Sequence, residues 1–155
     1  MAQYASRTEV SSDKSRLEIE KTLKRYGATS FAYGTDDEQG IAVIQFTMSS
    51  RQIRFTLPMP SRAEKRFTHH STGPRTGSAA DALYEQAIRQ RWRALALVVK
   101  AKLEAVASGI AEFEQEFLAY VMLPGNVSVY ESVKPGIEQS YLSGRVAPLL
   151  QIEGN

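Results

Sequence analysis

"IAVIQFTMSSRQIRFTLP", residues 41–58, decides the fold. Ala42, Ile44, Phe46 and Met48 alternate with Val43, Gln45 and Thr47, and Ile53, Phe55 and Leu57 alternate with Gln52, Arg54 and Thr56. A period of two puts each apolar set on one face of a strand, and "SSR" supplies the turn between them. Just upstream, "TSFAYG" (29–34) reads as a further strand, joined to the pair through "GTDDEQG" (34–40). The three make an antiparallel meander with one apolar face and one more polar face that carries Arg54. Pro58 and Pro60 end the third strand, because proline has no ladder donor.

A helix is expected before the meander, over about Asp13 to Tyr26. Ser11 or Ser12 is placed to cap it, Asp13 favours the positive end of its dipole, and Leu17, Ile19, Leu23 and Tyr26 form its stripe. Gly27 sits where a left-handed residue closes a helix.

After the meander, residues 61–78 show no period and read as a long loop, of a length that in compact domains is commonly functional. Ser78 and Asp81 then form a helix start signal. Ile88, Trp92, Leu95, Val99, Leu103, Val106, Ile110, Phe113 and Phe117 follow at steps of three and four. Unbroken from Ala79 to Leu118, that helix would run about 60 Å, twice a small domain's diameter. Either Ser108–Gly109 breaks it, or part of the stripe packs on another subunit; a homo-oligomer through the long helix is expected. The C-terminal part reads as an irregular segment with turns at Pro124–Gly125–Asn126 and Pro135–Gly136, and a helical turn or two near Ile137, Tyr141 and Leu142. The expectation is an α+β fold in one domain spanning 1–155.

Composition narrows the function. The chain has 155 residues, 43% of them hydrophobic and 23% charged, as in ordinary globular domains. It has no cysteine, so disulfides and thiolate metal sites are excluded. The opening "MAQYASRTEVSSDKS" lacks the apolar core of a signal peptide, and no apolar run reaches membrane-spanning length. No membrane association is expected, and the cytoplasm is the expected compartment. Net charge is only +2, but Arg51 to Arg93 holds nine Lys/Arg against three acids, a local +6 that leaves −4 for the rest. Such a patch attracts an anionic partner, while the modest total speaks against a general polyanion binder.

The loop "HHSTGPRTGSAAD" (69–81) concentrates that chemistry. A helix start offers unpaired N–H groups, glycines let backbone approach an anion, and a guanidinium forks onto phosphate oxygens. Residues His70, Ser71, Thr72, Gly73, Arg75, Thr76, Gly77 and Ser78 are the candidate phosphate cradle, and Arg89 and Arg93, one turn apart, extend it along the helix. Tyr33 and Tyr84 are candidates to stack on a base. Adjacent His69 and His70 point different ways with no third ligand near, so no metal site is expected. No nucleophile with a base partner appears, nor any phosphate-binding fingerprint of a nucleotide hydrolase; a protein without catalysis and without a cofactor is expected.

Three longer stretches, "YASRTEVSSDKSRLEIEKTLKRYGAT" (4–29), "RWRALALVVKAKLEAV" (91–106) and "FEQEFLAYVMLPG" (113–125), resemble a group of small uncharacterised proteins encoded by tailed bacteriophages and prophages. That resemblance implies a phage protein acting in the bacterial cytoplasm, against host defence or beside genome replication, and brings no site residues. The order helix, three strands, helix is also similar to the double-stranded RNA-binding domain, whose second helix opens on a basic motif. Here "SAADALYEQ" carries two acids and no base, which speaks against duplex RNA. The function expected is non-catalytic binding of a small phosphate-bearing ligand, such as a nucleotide signal of bacterial defence. The alternatives are an accessory nucleic-acid-binding protein using the Arg51 to Arg93 surface and a protein-interaction inhibitor of a host factor.

Overall fold

The computed structural model describes residues 2–150, with side chains described from Ser12 onward. Helix α1 (Ala2–Arg25) leads into strands β1 (Ser30–Asp36), β2 (Ile41–Met48) and β3 (Arg51–Pro58). These form one antiparallel sheet in the order β1-β2-β3. Phe46 lies opposite both Phe31 and Ile53, and Ile44 lies opposite Tyr33 and Phe55, so the apolar set of each strand shares one face. A two-residue turn, Ser49–Ser50, joins β2 to β3 with both residues left-handed, at φ of 52° and 58°. That geometry matches the right-handed twist of the flanking strands.

Helix α1 is longer than the sequence reading. It continues N-terminally through Ser11 and Ser12, so neither residue is a cap; the side chain of Ser11 lies outside the described ones, and Ser12 is a buried helical residue. Its C-terminus is as expected. Gly27 has φ of 111°, its N–H donates to the Lys24 carbonyl, and the Ala28 N–H reaches back to the Leu23 carbonyl. The pair forms a Schellman closure that only glycine adopts without strain.

The segment 61–78 is not structureless. A single turn of helix, α2 (Lys65–Thr68), is followed by a small hairpin of β4 (His69–His70) and β5 (Gly73–Pro74). Phe67 is buried against Tyr84, ring centroids 5.6 Å apart and nearly perpendicular, which pins α2 to the next helix. That helix, α3 (Gly77–Ala107), starts two residues earlier than Ser78–Asp81 suggested: Thr76 is the cap and accepts from the Ala79 N–H at 3.2 Å. Asp81 instead pairs with Arg62 at 2.6 Å.

Helix α3 is about 46 Å long and stops where its sequence allows. Gly109, at φ of 79°, turns the chain, and Ile110 of the expected stripe is left 81% exposed in the turn. The chain resumes as α4 (Phe113–Phe117) and a 3₁₀ turn (Leu118–Tyr120). Lys102 holds the reversal by donating to the carbonyl and carboxylate of Glu116, at 3.2 and 3.3 Å. The break at Gly109 relieves the helix length within the chain. Trp92, Leu95, Val99 and Leu103 of the stripe are spent on the chain's own core.

The core lies between the sheet and the two long helices. Ile19 and Leu23 of α1, Ile44 and Phe46 of β2, Ile53 and Phe55 of β3, and the α3 stripe form one buried cluster with Phe117 and Val121. Phe117 meets Phe46 and Phe55 edge-on at 6.0 and 6.3 Å. Tyr26 donates a hydrogen bond to Glu104 and ties the end of α1 to α3.

The C-terminal part is more regular than expected. Strands β6 (Met122–Leu123) and β7 (Val127–Ser128) form a hairpin around Pro124–Gly125–Asn126, and α5 (Val129–Ser143) follows. Pro135–Gly136 lies inside that helix rather than in a turn. A capping box between Ser128 and Glu131 starts α5, and Gly144 at φ of 69° ends it. The α+β class stands with this added helix.

Candidate ligand-binding site

The 70–78 segment is a surface hairpin followed by a capped helix start, and its polar groups are engaged with one another. His70 Nδ1 accepts from the Thr72 N–H at 3.2 Å and lies 2.7 Å from the Thr72 hydroxyl. Arg75 donates from Nε to the Arg66 carbonyl at 3.1 Å, which braces the hairpin against α2. The Thr76 hydroxyl is occupied by capping, and Ser71, Gly77 and Ser78 are exposed. Gly73, at φ of 147°, serves the tight hairpin. Arg89 and Arg93 are about 16 Å or more along α3 from Ser78, so they do not converge with the helix start. Residues 70–78 lie together in the chain, and neither they nor Arg89 and Arg93 line the cleft between α1 and α3.

A built concavity lies next to them. A cleft of about 650 Å³ opens between α1, the first turns of α3, the β1–β2 turn and the chain leaving β3. Its floor is Trp92, 2% exposed, with Ile88 and Met59 beside it. Arg16, on α1, stands between two aromatic faces, 4.5 Å from the Tyr33 ring centre and 5.2 Å from that of Trp92, and pairs with Asp13. Arg62 stands 4.2 Å over the Tyr84 ring while paired to Asp81. Both guanidiniums are thus pre-positioned by stacking, which costs them side-chain freedom before any ligand arrives.

Ser12 distinguishes this cleft from a surface dent. Its side chain lines the cleft, the residue is 4% exposed, and its hydroxyl has no hydrogen-bond partner among the described residues. A buried hydroxyl left unpaired costs about 1–3 kcal/mol. A ligand atom that bonds it recovers that cost.

The β1–β2 turn adds an acidic wall. Asp36 accepts from the Gln39 N–H at 3.0 Å and holds the turn, while Asp37 and Glu38 are exposed and carry no ion pair among the described residues. The lining is therefore bipolar in charge, with guanidiniums, aromatic rings and free carboxylates around one cleft.

The sequence reading named Arg62 only as part of a basic segment and missed Ser12 and Arg16 as site residues. The signal was present: Ser12, Arg16, Ile19 and Leu23 advance by four, three and four, which puts the first two on the buried side of α1. Tyr84 was a candidate stacking residue and does line the cleft, and Trp92, expected in the core, is both core and floor. Among the described residues no group of three His, Asp or Glu gathers as metal ligands, and no helix is long and apolar enough to cross a membrane. Two smaller clefts, about 370 and 560 Å³, share Arg54 of β3, which is tied to Gln45 and Asn126 at 2.9 and 2.7 Å. Compared with known proteins, the chain matches no family model, no curated protein and no solved structure.

Proposed function

We propose that this chain is a non-catalytic binding protein for a small phosphate-bearing ligand, held in the cleft between α1 and α3. The observation that carries the reading is the pair Arg16 and Arg62, each stacked on an aromatic ring at the same concavity as the unpartnered Ser12 hydroxyl. An incoming phosphate competes with Asp13 and Asp81, which are 60% and 44% exposed and free to turn to solvent. Bidentate guanidinium contacts favour the phosphate in that exchange. The acidic wall suits a second, hydrogen-bond-donating end of the same ligand, and Tyr84 suits a flat one. A nucleotide has that bipolar form. In a phage protein, a nucleotide signal of host defence is the ligand class this reading favours.

The alternative of a nucleic-acid surface is weakened by what the cations already do. Arg51 pairs with Glu114 and Arg66 with Glu64, and Arg75 donates from Nε to the Arg66 carbonyl. Titration calorimetry with mononucleotides, dinucleotides and inorganic pyrophosphate tests the choice. Stoichiometric uptake that falls at least about tenfold in both Arg16→Ala and Arg62→Ala is expected, since a charge-assisted contact is worth roughly 1.5–3 kcal/mol. No uptake of any of these, together with salt-steep binding of DNA or RNA, would assign the basic segment to nucleic acid instead.

A further inference from the structure

Helix α5 presents an apolar face that the chain itself does not cover. None of its 15 residues is buried, and Tyr130, Ile137, Tyr141 and Leu142 are 51, 42, 88 and 84% exposed. Its contacts with the body run chiefly through the 3₁₀ turn and β7, at its first turn. Its other flank is closed by the chain that follows. The Ser140 hydroxyl donates to the Gly136 carbonyl at 2.7 Å and accepts from the Ala147 N–H at 2.9 Å. A Cβ on Gly136 would stand 2.9 Å from the Pro148 carbonyl oxygen, so only glycine admits this packing. With one flank latched in this way, residues 145–150 are held off the exposed stripe.

That stripe is Tyr130, Lys134, Ile137 and Tyr141, at steps of four, three and four, widened by Glu138 and Leu142. Lys134 Nζ lies 5.8 Å from the Tyr130 ring centre, which puts both on the same side. The charges on this stripe are self-complementary. In an antiparallel pair of α5 helices related by a two-fold axis near Gly136, Lys134 of one copy faces Glu138 of the other, and the reverse contact repeats across the axis. Tyr130 of one copy then meets Leu142 of the other at both ends. Two apolar contacts flanking two ion pairs are what an isologous interface requires.

We infer that α5 is a homodimer interface, in which a second copy of this chain packs its own α5 antiparallel in the register Lys134 to Glu138. This surface is separate from the cleft between α1 and α3 and stands or falls independently of it. Sedimentation velocity over a dilution series tests it in the full chain. The unaltered protein should pass from dimer to monomer on dilution. Lys134→Glu alone, and Glu138→Lys alone, should each weaken the dimer about tenfold or more, because like charges then meet at two symmetric places. The double exchange Lys134→Glu with Glu138→Lys should restore it. Tyr141→Ala should also dissociate the dimer while leaving far-ultraviolet dichroism unchanged. A monomer at every concentration overturns the inference, and so does a dimer indifferent to the single charge reversals or not rescued by the double one.

Discussion

Helices α3 and α5 both carry large apolar residues at steps of three and four, and the chain treats them differently. Trp92, Leu95, Val99 and Leu103 of α3 are at most 7% exposed, whereas Ile137, Tyr141 and Leu142 of α5 are 42% exposed or more. Both helices are capped by a hydroxyl, Thr76 in one and Ser128 in the other. The difference is therefore not in the helices. Helix α3 runs alongside α1 over the apolar face of the sheet, while α5 leaves from a hairpin at the sheet's edge and meets the body chiefly through the 3₁₀ turn and β7. Periodicity fixes which residues share a face; position in the fold fixes what the face meets.

Five variants bear on that contrast. The largest effect is expected for Trp92→Ala, which empties the most voluminous fully buried site. It should cost about 3–5 kcal/mol, lower the thermal midpoint by on the order of 10 °C and abolish the cleft floor. Denaturant titration checks the first; a loss under about 1 kcal/mol would show that α3 is not the centre of the core.

Removing the two caps should separate the helices next. Thr76→Ala should cost about 1 kcal/mol of global stability, because α3 melts only with the core. Ser128→Ala removes a comparable cap, yet its effect should be confined to faster hydrogen exchange in α5, with the global midpoint unmoved. If both substitutions shift the global midpoint equally, α5 is part of the same cooperative unit and the contrast fails.

A smaller effect is expected on the exposed face. Tyr141→Ser with Leu142→Ser should change the stability of the dilute chain by no more than about 0.5 kcal/mol, as surface positions do. A large loss in denaturant titration would mean that these side chains are packed against the body.

The smallest concerns the tie between α1 and α3. The hydrogen bond from Tyr26 to Glu104 pushes the tyrosine's pKa above its ordinary value, because ionised tyrosine would lose the bond and face a carboxylate. The neutral form is thus favoured by folding. The contribution is fully present below the ordinary tyrosine value of about 10 and is lost as pH rises through the higher folded value. Ultraviolet titration should find in the native protein a late-ionising tyrosine that Tyr26→Phe lacks, with the stability difference between the two shrinking at alkaline pH.

Much of the fold could be read from local pattern. The alternation in residues 41–58, the stripe from Ile88 to Val106 and the closing Gly27 all appear where the sequence puts them, since each is set by neighbours a few residues away. Errors arose where a local signal had two readings. Ser12 before Asp13 looks like a cap, and so does Ser78 before Asp81, but α1 continues upstream and Thr76 takes the cap of α3. Pro135–Gly136 looks like a turn, but the capping box at Ser128 had already started a helix that the proline only interrupts. The composition of 70–78 did mark a polar surface segment; His70, Thr72, Arg75 Nε and Thr76 are engaged by neighbouring groups of the same segment and α2, and composition cannot show that.

The sequence by itself determined the α+β class, the meander and the residues that share each face, because turn chemistry and periodicity act over one or two turns of chain; at Ser108–Gly109 it offered a break only as one of two ways to relieve the helix length. The tertiary structure alone decided that Ser12 and Arg16 from α1, Asp37 from a turn, Arg62 from a loop and Trp92 from α3 line one cleft. It also decided that α5 stays uncovered. Both depend on which elements the core brings together, and that is settled by the burial of residues far apart in the chain.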